Sequence, residues 1–533
     1  MVYEYLNRVK APVAIMKDRR PWLVFALVFC WKIALFVISA QPVPASDSYF
    51  YDGAVVHHLL HGGYYNPCLA AAFPISSAQV FSVYPPFYQV PLLAWMSVFG
   101  VSALSAMALH IFLIGIYMVL LLAIFRRLQT PGWCVQLAGA FLLLITFHDR
   151  PDTVAHVMGM LAIYSWVRSR RILSEGLADN RISRWNWLTV VCVVLTIATS
   201  LQIGGVYFLW VFLGTALACY AGKERFPIVP MAAMAAAPIV LVLMVKTFLP
   251  LPWEGFVEHA RQTPFITGFR ALSWQEVLKV VRSVPGILLV TILLCWSWFT
   301  RRRELMAAMA TRPGIIMLPA LLGSLGVVAA CLTILSANIV GNIPIYLQPL
   351  IVACYLALFG PLVASKLQSR LQVGCFVLMV LLGSVRAVGM STWGIVCARD
   401  TSYASVMRRV AKELESHPTG TEVVISSPFL YEAALHQNIK PIHSDWLVRV
   451  WRDQQPDDAR ALVARKPAQL ILSQFEYYRR YQGILEKVKS DPQLGSMEIE
   501  NTAKTPSPDS FKSIQRVLQN VSWAPVIVNL TWK

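Results

Sequence analysis

The chain has 533 residues, of which 57% are hydrophobic and 14% charged, and its formal net charge is +18. The apolar residues fall in runs long enough to cross a bilayer, which excludes an ordinary soluble domain and predicts a polytopic α-helical membrane protein. So basic a soluble chain would suggest a nucleic-acid partner, but the placement of the charge, described below, removes that reading.

Apolar runs predict about eleven transmembrane helices, at roughly 21–40, 102–125, 132–147, 152–168, 187–201, 206–221, 227–249, 284–300, 314–336, 344–364 and 371–393. With the N-terminus in the cytoplasm, the inside loops carry 20 Lys/Arg, counting Arg168, and the outside loops before the tail carry only Arg150, Arg261, Arg270, Lys279 and Arg282. This is the positive-inside bias, so the basic charge reports membrane orientation and no nucleic-acid partner. The first apolar run reads as a retained anchor, since no short cleavable signal precedes it. Of ten cysteines, eight lie inside apparent spans; Cys68 and Cys397 fall in exterior segments, with no spacing that specifies a disulfide.

The segment 41–101 is a large first outer loop. From Ser46 to Pro86 it has no Lys or Arg but carries Asp47, Asp52, His57, His58, His61 and many tyrosines. Loops longer than about 15 residues are usually functional or disordered, and this aromatic content argues against disorder. A folded loop that shapes a polar site at the membrane surface is expected. Its last part, 86–100, is apolar enough to pass for a further span. Counting it so would put Arg126 and Arg127 outside, and a juxtamembrane helix in the interface fits better.

After Trp393 the chain becomes polar. Strand-like VVISS and QLILS runs, each followed by a helical pattern, predict a soluble α/β domain over 397–533 with a partly parallel sheet, on the outer side. The membrane domain is then 1–396.

Candidate polar residues collect on the outer face. They are Tyr51, Asp52 and Tyr84 with Asp47 in the first loop, His148, Asp149, Arg150 and Asp152 in the second, then His259, Arg261 and Arg270, and Tyr346 and Gln348 at the start of the tenth span. A carboxylate in a partly dry cavity there suits a general base acting on a hydroxyl. Plain alternatives stand beside this. Asp47 is also a good helix N-cap, and Asp52 fits a solvated helix face. Pro151 is placed to start a helix, with Asp152 favouring its dipole and Asp149 as a cap. The three histidines do not share one helix face, so a metal site is the weaker explanation for them. Arg261 and Arg270 fit contacts with lipid headgroups as well as a site. Lys32, Lys246 and Arg386 are the unusual charges within spans.

The pattern D47-x-x-x-Y51-x-x-A54, then L59-L60-x-G62, a tyrosine-rich stretch and Y84-P85-P86 before a juxtamembrane helix resembles the GT-C fold glycosyltransferases. The second loop, HDRPDTVAHVMGMLAIYSWVR, is similar to their acidic second outer loop. The resemblance covers the first 170 residues, the later spans in layout and the tail in general type. It implies transfer of a sugar from a polyprenyl-phosphate donor to a glycan, lipid or protein acceptor, with inversion and with Asp47 as the base. The phosphate leaving group then needs positive charge. Where the aminoarabinose and protein-mannosyl branches often carry an acidic and a basic residue before the paired prolines, this chain has Val83 and Tyr84. The cation must therefore come from Arg150, Arg261 or Arg270, with His259 as a helper.

No cofactor is certain from the sequence, and a divalent cation stays open. The expected setting is a bacterial inner membrane with the C-terminal domain in the periplasm. The competing function is a transporter or flippase of a lipid-linked saccharide, against which stand the lack of an inverted repeat and the clustering of polar residues at one face.

Overall fold

The computed structural model describes residues 20–40, 48–63, 66, 86–142, 151–174, 179–222, 226–248, 285–309, 312–333, 342–363, most of 373–389, 392, 395, 402–436, 438–444, 458–501 and 524–533. The first part is helical: α1 (Arg20–Ser39), α2 (Ser48–His61), a 3-10 turn Pro86–Tyr88, α3 (Gln89–Phe99), α4 (Ala103–Arg127), α5 (Gly132–Phe141), α6 (Pro151–Ser174), α7 (Asp179–Thr199), α8 (Leu201–Gly222), α9 (Ile228–Phe248), α10 (Pro285–Met309), α11 (Arg312–Thr333) and α12 (Asn342–Val363). Among the described residues, three helices are long and apolar enough to cross a membrane: Arg20–Ser39, Ala103–Arg127 and Gln202–Tyr220. Shorter apolar helices accompany them, among them Ser183–Thr199, Gly286–Thr300, Ile316–Ala329 and Leu347–Leu358.

Helix ends run past the apolar stretches that announced them. The expected span 152–168 is the first part of α6, which continues to Ser174, and α7 begins at Asp179, before the expected 187. Hydropathy stops at the first arginines, but the backbone ladder does not. Arg168 is a good helix former, and its guanidinium lies over the Trp185 ring at 4.5 Å and donates to the Tyr164 hydroxyl at 3.4 Å. Such a stacked cation joins α6 to α7 at their charged ends. The segment expected as a juxtamembrane helix is α3, 11 residues long. At 1.5 Å per residue it reaches about 16 Å, half of what a span needs. Its Gln89, Leu92 and Met96 face inward, and the Trp95 indole donates to the Ser105 carbonyl at 2.9 Å, which fixes α3 against α4.

Polar aromatic side chains join the bundle. The Trp166 N–H donates to Thr215 Oγ1 at 3.0 Å, linking α6 to α8, and the Trp210 N–H donates to the Ile316 carbonyl, linking α8 to α11.

The tail contains α13 (Tyr403–Glu415), β1 (Thr421–Ile425), a 3-10 turn Ser427–Phe429, α14 (Leu430–Leu435), β2 (Ile439–His443), α15 (Asp458–Arg465), β3 (Gln469–Ser473), a π-turn Tyr477–Tyr481, α16 (Gln482–Val488), β4 (Leu494–Asn501) and β5 (Pro525–Trp532). The sheet order is β2-β1-β3-β5-β4; β1 pairs parallel with β2 and β3, while β5 pairs antiparallel with β3 and β4. Both faces of the parallel part are covered, which is why VVI and LIL run apolar without alternation. Val424, Leu470 and Leu472 face α15 and α16, whereas Val423, Ile425 and Ile471 face α13 and α14. The second set belongs to the same hydrophobic cluster as the helical bundle, so one face of the sheet packs, through α13 and α14, on the first part of the chain.

Candidate functional site

The helix α2 lies within the segment expected as the first outer loop. It ends where Gly62 takes φ +75°, and the Gly62 N–H returns to the His58 carbonyl at 3.1 Å. This left-handed stop is a glycine role. Earlier in the helix, Gly53 is covered by the Asn66 side chain, whose atoms would stand 2.6 Å from an added Cβ. The chain after α2 therefore folds back on the helix at its one residue without a side chain in that stretch. Tyr51, Asp52, Ala54, Val55 and Val56 are all buried.

Asp52 is not a solvated face residue: its relative exposure is 0%. The Tyr88 hydroxyl donates to its Oδ1 at 2.7 Å, and the Tyr431 hydroxyl donates to its Oδ2. A buried carboxylate needs such donors, because an ion taken from water without them costs several kcal/mol. Tyr88 has one proton and commits it to Asp52, so its oxygen accepts from His110 Nε2–H at 3.2 Å. The polarity of the chain His110 to Tyr88 to Asp52 is thereby set, with α4, the turn before α3, and α2 as its three supports.

Asp152 lies in the first turn of α6, started by Pro151, as a helix N-terminus favours. It is also buried, and the Ser200 hydroxyl donates to its Oδ1 at 3.0 Å. One turn on, His156 is buried with its Nδ1 3.1 Å from the Tyr207 hydroxyl of α8. The turn carrying Tyr88 touches α6 and α7, so the Asp52 network neighbours the helix that bears Asp152. Gln348 of α12 reaches across to α10. It is buried and its Oε1 accepts the Gly286 N–H at 2.7 Å. Tyr346 falls in α12.

Asp47, Tyr84, His148, Asp149, Arg150, His259, Arg261 and Arg270 lie outside the described residues, as does the side chain of Tyr346 and the pair Cys68 and Cys397. Asp47 immediately precedes α2 in sequence.

The histidines of α2 serve the helix end. His57 Nδ1 is 3.4 Å from the Gly63 carbonyl, and burial, with His61 and His58 nearby, holds its pKa below the ordinary value. His61 Nε2 donates to the Ala434 carbonyl of α14 at 2.7 Å. Among the described residues, no three His, Cys, Asp or Glu side chains converge as a metal site requires.

The sequence expectations missed Tyr88, His110, His156, Ser200 and Tyr431. For His110 and His156 a signal existed, since an imidazole inside an apolar helix is costly and marks a polar contact. For Tyr431 no local signal exists.

In the tail, the carboxyl ends of β1, β2 and β3 are closed by their own side chains. Glu476 Oε2 accepts the Ser426 hydroxyl at 2.6 Å and the Ser444 hydroxyl as well, and the Tyr481 hydroxyl donates to the Ser444 carbonyl at 2.7 Å. The connections from β1 and β3 leave toward opposite faces, the arrangement at which open α/β sheets bind ligands, and here the buried carboxylate and serines join the three strand ends to one another.

The chain is thus a mostly helical protein with membrane-length apolar helices, a buried carboxylate network centred on α2, and an α/β tail packed on it. No protein-family profile matches it, and no curated protein matches it. Solved structures of similar shape include ArnT from Cupriavidus metallidurans bound to undecaprenyl phosphate, with 14% identity and a TM-score of 0.49, covering 96% of this chain and 98% of that one. They also include the Archaeoglobus fulgidus oligosaccharyltransferase in its apo form, with 12% identity and a TM-score of 0.48, covering 88% of this chain and 71% of that one. The archaeal oligosaccharyltransferase AglB from the same organism, in complex with an inhibitory peptide and a dolichol-phosphate, has 12% identity and a TM-score of 0.45, covering 91% and 73%.

Proposed function

We propose that this chain is an integral-membrane glycosyltransferase that moves a sugar from a polyprenyl-phosphate donor to an acceptor hydroxyl on the outer face, with inversion. Its membrane part has about eleven spans, and it sits in a bacterial inner membrane with a cytoplasmic N-terminus and a periplasmic tail. Asp47 takes the proton from the acceptor hydroxyl. Arg150, Arg261 or Arg270, with His259, neutralises the departing phosphate, and Tyr84, His148, Asp149, Asp152, Tyr346 and Gln348 shape the donor and acceptor sites.

The observation that carries this is the build of the first outer loop. The arginine-free segment with Asp47 at its head contains α2, and α2 is tied through Asp52 to the turn that packs on α6 and α7. An aspartate joined to so constrained a helix can be held at a set geometry, which general-base catalysis requires.

The test is release of polyprenyl phosphate from a panel of polyprenyl-phosphate sugars by the purified protein. Acceptor-dependent release that disappears in Asp47→Asn, with the variant still eluting as a folded species, is the expected result. Release that survives Asp47→Asn moves the base elsewhere. No release with any donor overturns the transferase and leads to a flux assay for a lipid-linked saccharide.

A further inference from the structure

The described contacts between α2 and the tail are concentrated on the short helix α14. Leu430, Tyr431, Ala433 and Ala434 of α14 are buried, and α14 lies against α2. Two hydrogen bonds define the seat. Near the start of α2 the Tyr431 hydroxyl reaches Asp52 Oδ2, and at its last residue His61 Nε2 reaches the Ala434 carbonyl at 2.7 Å. Tyr88 occupies the other oxygen of Asp52 at 2.7 Å. Asp52 thus takes one phenol from the helical part and one from the tail, and both partners are buried.

A carboxylate held by two donors from opposite sides fixes the rotation of the helix that bears it, since turning α2 would break a charge-assisted bond in a dry setting. The first residue of α2 follows Asp47 directly. A rigid helix one peptide bond away limits where the Asp47 backbone can go.

We propose that Tyr431 is a positioning residue, through which the C-terminal α/β domain clamps Asp52 and sets the orientation of α2 for transfer. The domain then acts as a brace on the first outer loop and supplies no group to the acceptor. This rests on the glycosyl-transfer function proposed above, with Asp47 as its base.

The experiment uses the full-length protein with Tyr431→Phe, Asp52→Asn, the double variant and Tyr481→Phe. Tyr481→Phe removes a buried phenol bond from the same domain, to the Ser444 carbonyl, on the side of the sheet away from α14. It reports what general loosening of the tail does. Turnover is measured with saturating donor and acceptor, together with both KM values, and amide hydrogen exchange is followed over 48–61.

The expected result for Tyr431→Phe is a fall in kcat of about 10- to 100-fold, as small misplacement of a reacting group produces. Both KM values stay within about twofold. Exchange over 48–61 quickens while exchange over 103–127 does not change. The double variant is no slower than the slower single variant, because both changes release the same clamp. Tyr481→Phe leaves kcat and the exchange of α2 near wild type.

Unchanged turnover and unchanged exchange in Tyr431→Phe overturn the brace. A loss confined to the acceptor KM overturns it too, and makes the tail an acceptor-binding domain. Equal losses in Tyr431→Phe and Tyr481→Phe reduce it to general stability. If wild-type protein releases no polyprenyl phosphate from any donor, the transfer function has failed, and the exchange of α2 alone decides the clamp.

Discussion

The Ser200 hydroxyl donates to Asp152 Oδ1 at 3.0 Å, joining the junction of α7 and α8 to the first turn of α6. Three helices thus meet at a buried carboxylate that also faces the positive end of a helix dipole.

Removing that donor separates a cap from a site. Ser200→Ala takes one hydrogen bond from a buried carboxylate, a change of about 1.5–3 kcal/mol in stability. Asp152→Asn keeps the shape and the helix start. If Asp152 is only structural, both variants lower the melting temperature and leave kcat near wild type. The expected outcome is that Asp152→Asn also lowers kcat or raises the donor KM, whereas Ser200→Ala changes mainly the melting temperature.

Gly53→Ala places a methyl 2.6 Å from the Asn66 side chain, which is itself fully buried. Overpacking of this kind costs about 1–3 kcal/mol. Limited proteolysis between α2 and α3 is expected to quicken, with a fall in transfer. Adding Asn66→Ala removes the obstacle and recovers part of the loss, so the double variant is more resistant to protease than Gly53→Ala alone.

Glu432 of α14 is partly buried, and this burial raises its pKa above the ordinary 4.5. The folded chain therefore holds the proton to a higher pH than the unfolded chain. Stability from this group is fully present below about 4.5 and is lost as pH rises through the folded pKa. Glu432→Gln abolishes the effect. Thermal unfolding of the full chain at a series of pH values is expected to show the variant gaining on wild type as pH rises through that interval, with a constant difference above it. A parallel pair of curves contradicts the assignment.

Gln348→Leu leaves the Gly286 N–H at the start of α10 without its acceptor, because the bond at 2.7 Å is made by the amide oxygen. The loss is about 1–3 kcal/mol for a buried donor. Faster thermal inactivation in detergent is expected, with the pH profile of transfer unchanged; a shifted profile would place Gln348 at the reacting groups.

Several of these residues stood out in the sequence for local reasons. Pro151 and Asp152 begin a helix because proline suits a first helical position and a carboxylate suits its dipole. Asp52 was recognisable as an acid in an apolar, arginine-free loop, yet its surroundings were not. Its two phenol donors lie 36 and 379 positions away, and neither distance leaves a trace in spacing. The helices α6 and α7 run beyond the apolar stretches 152–168 and 187–201, because hydropathy reports apolar length while charged residues such as arginine are good helix formers.

The sequence by itself determined the apolar, helical first part, the short helix before α4 and the two strand–helix units that begin at β1 and β3. These follow from hydropathy and from the 3.6- and 2-residue periods, which are properties of neighbouring residues. Only the tertiary structure decided that Asp52 is a dry, doubly held carboxylate, that His110 and His156 are bonded to tyrosines, and that α14 docks on α2. Those outcomes depend on which side chains meet when distant segments pack. A carboxylate reads the same in sequence whether water or two phenols surround it.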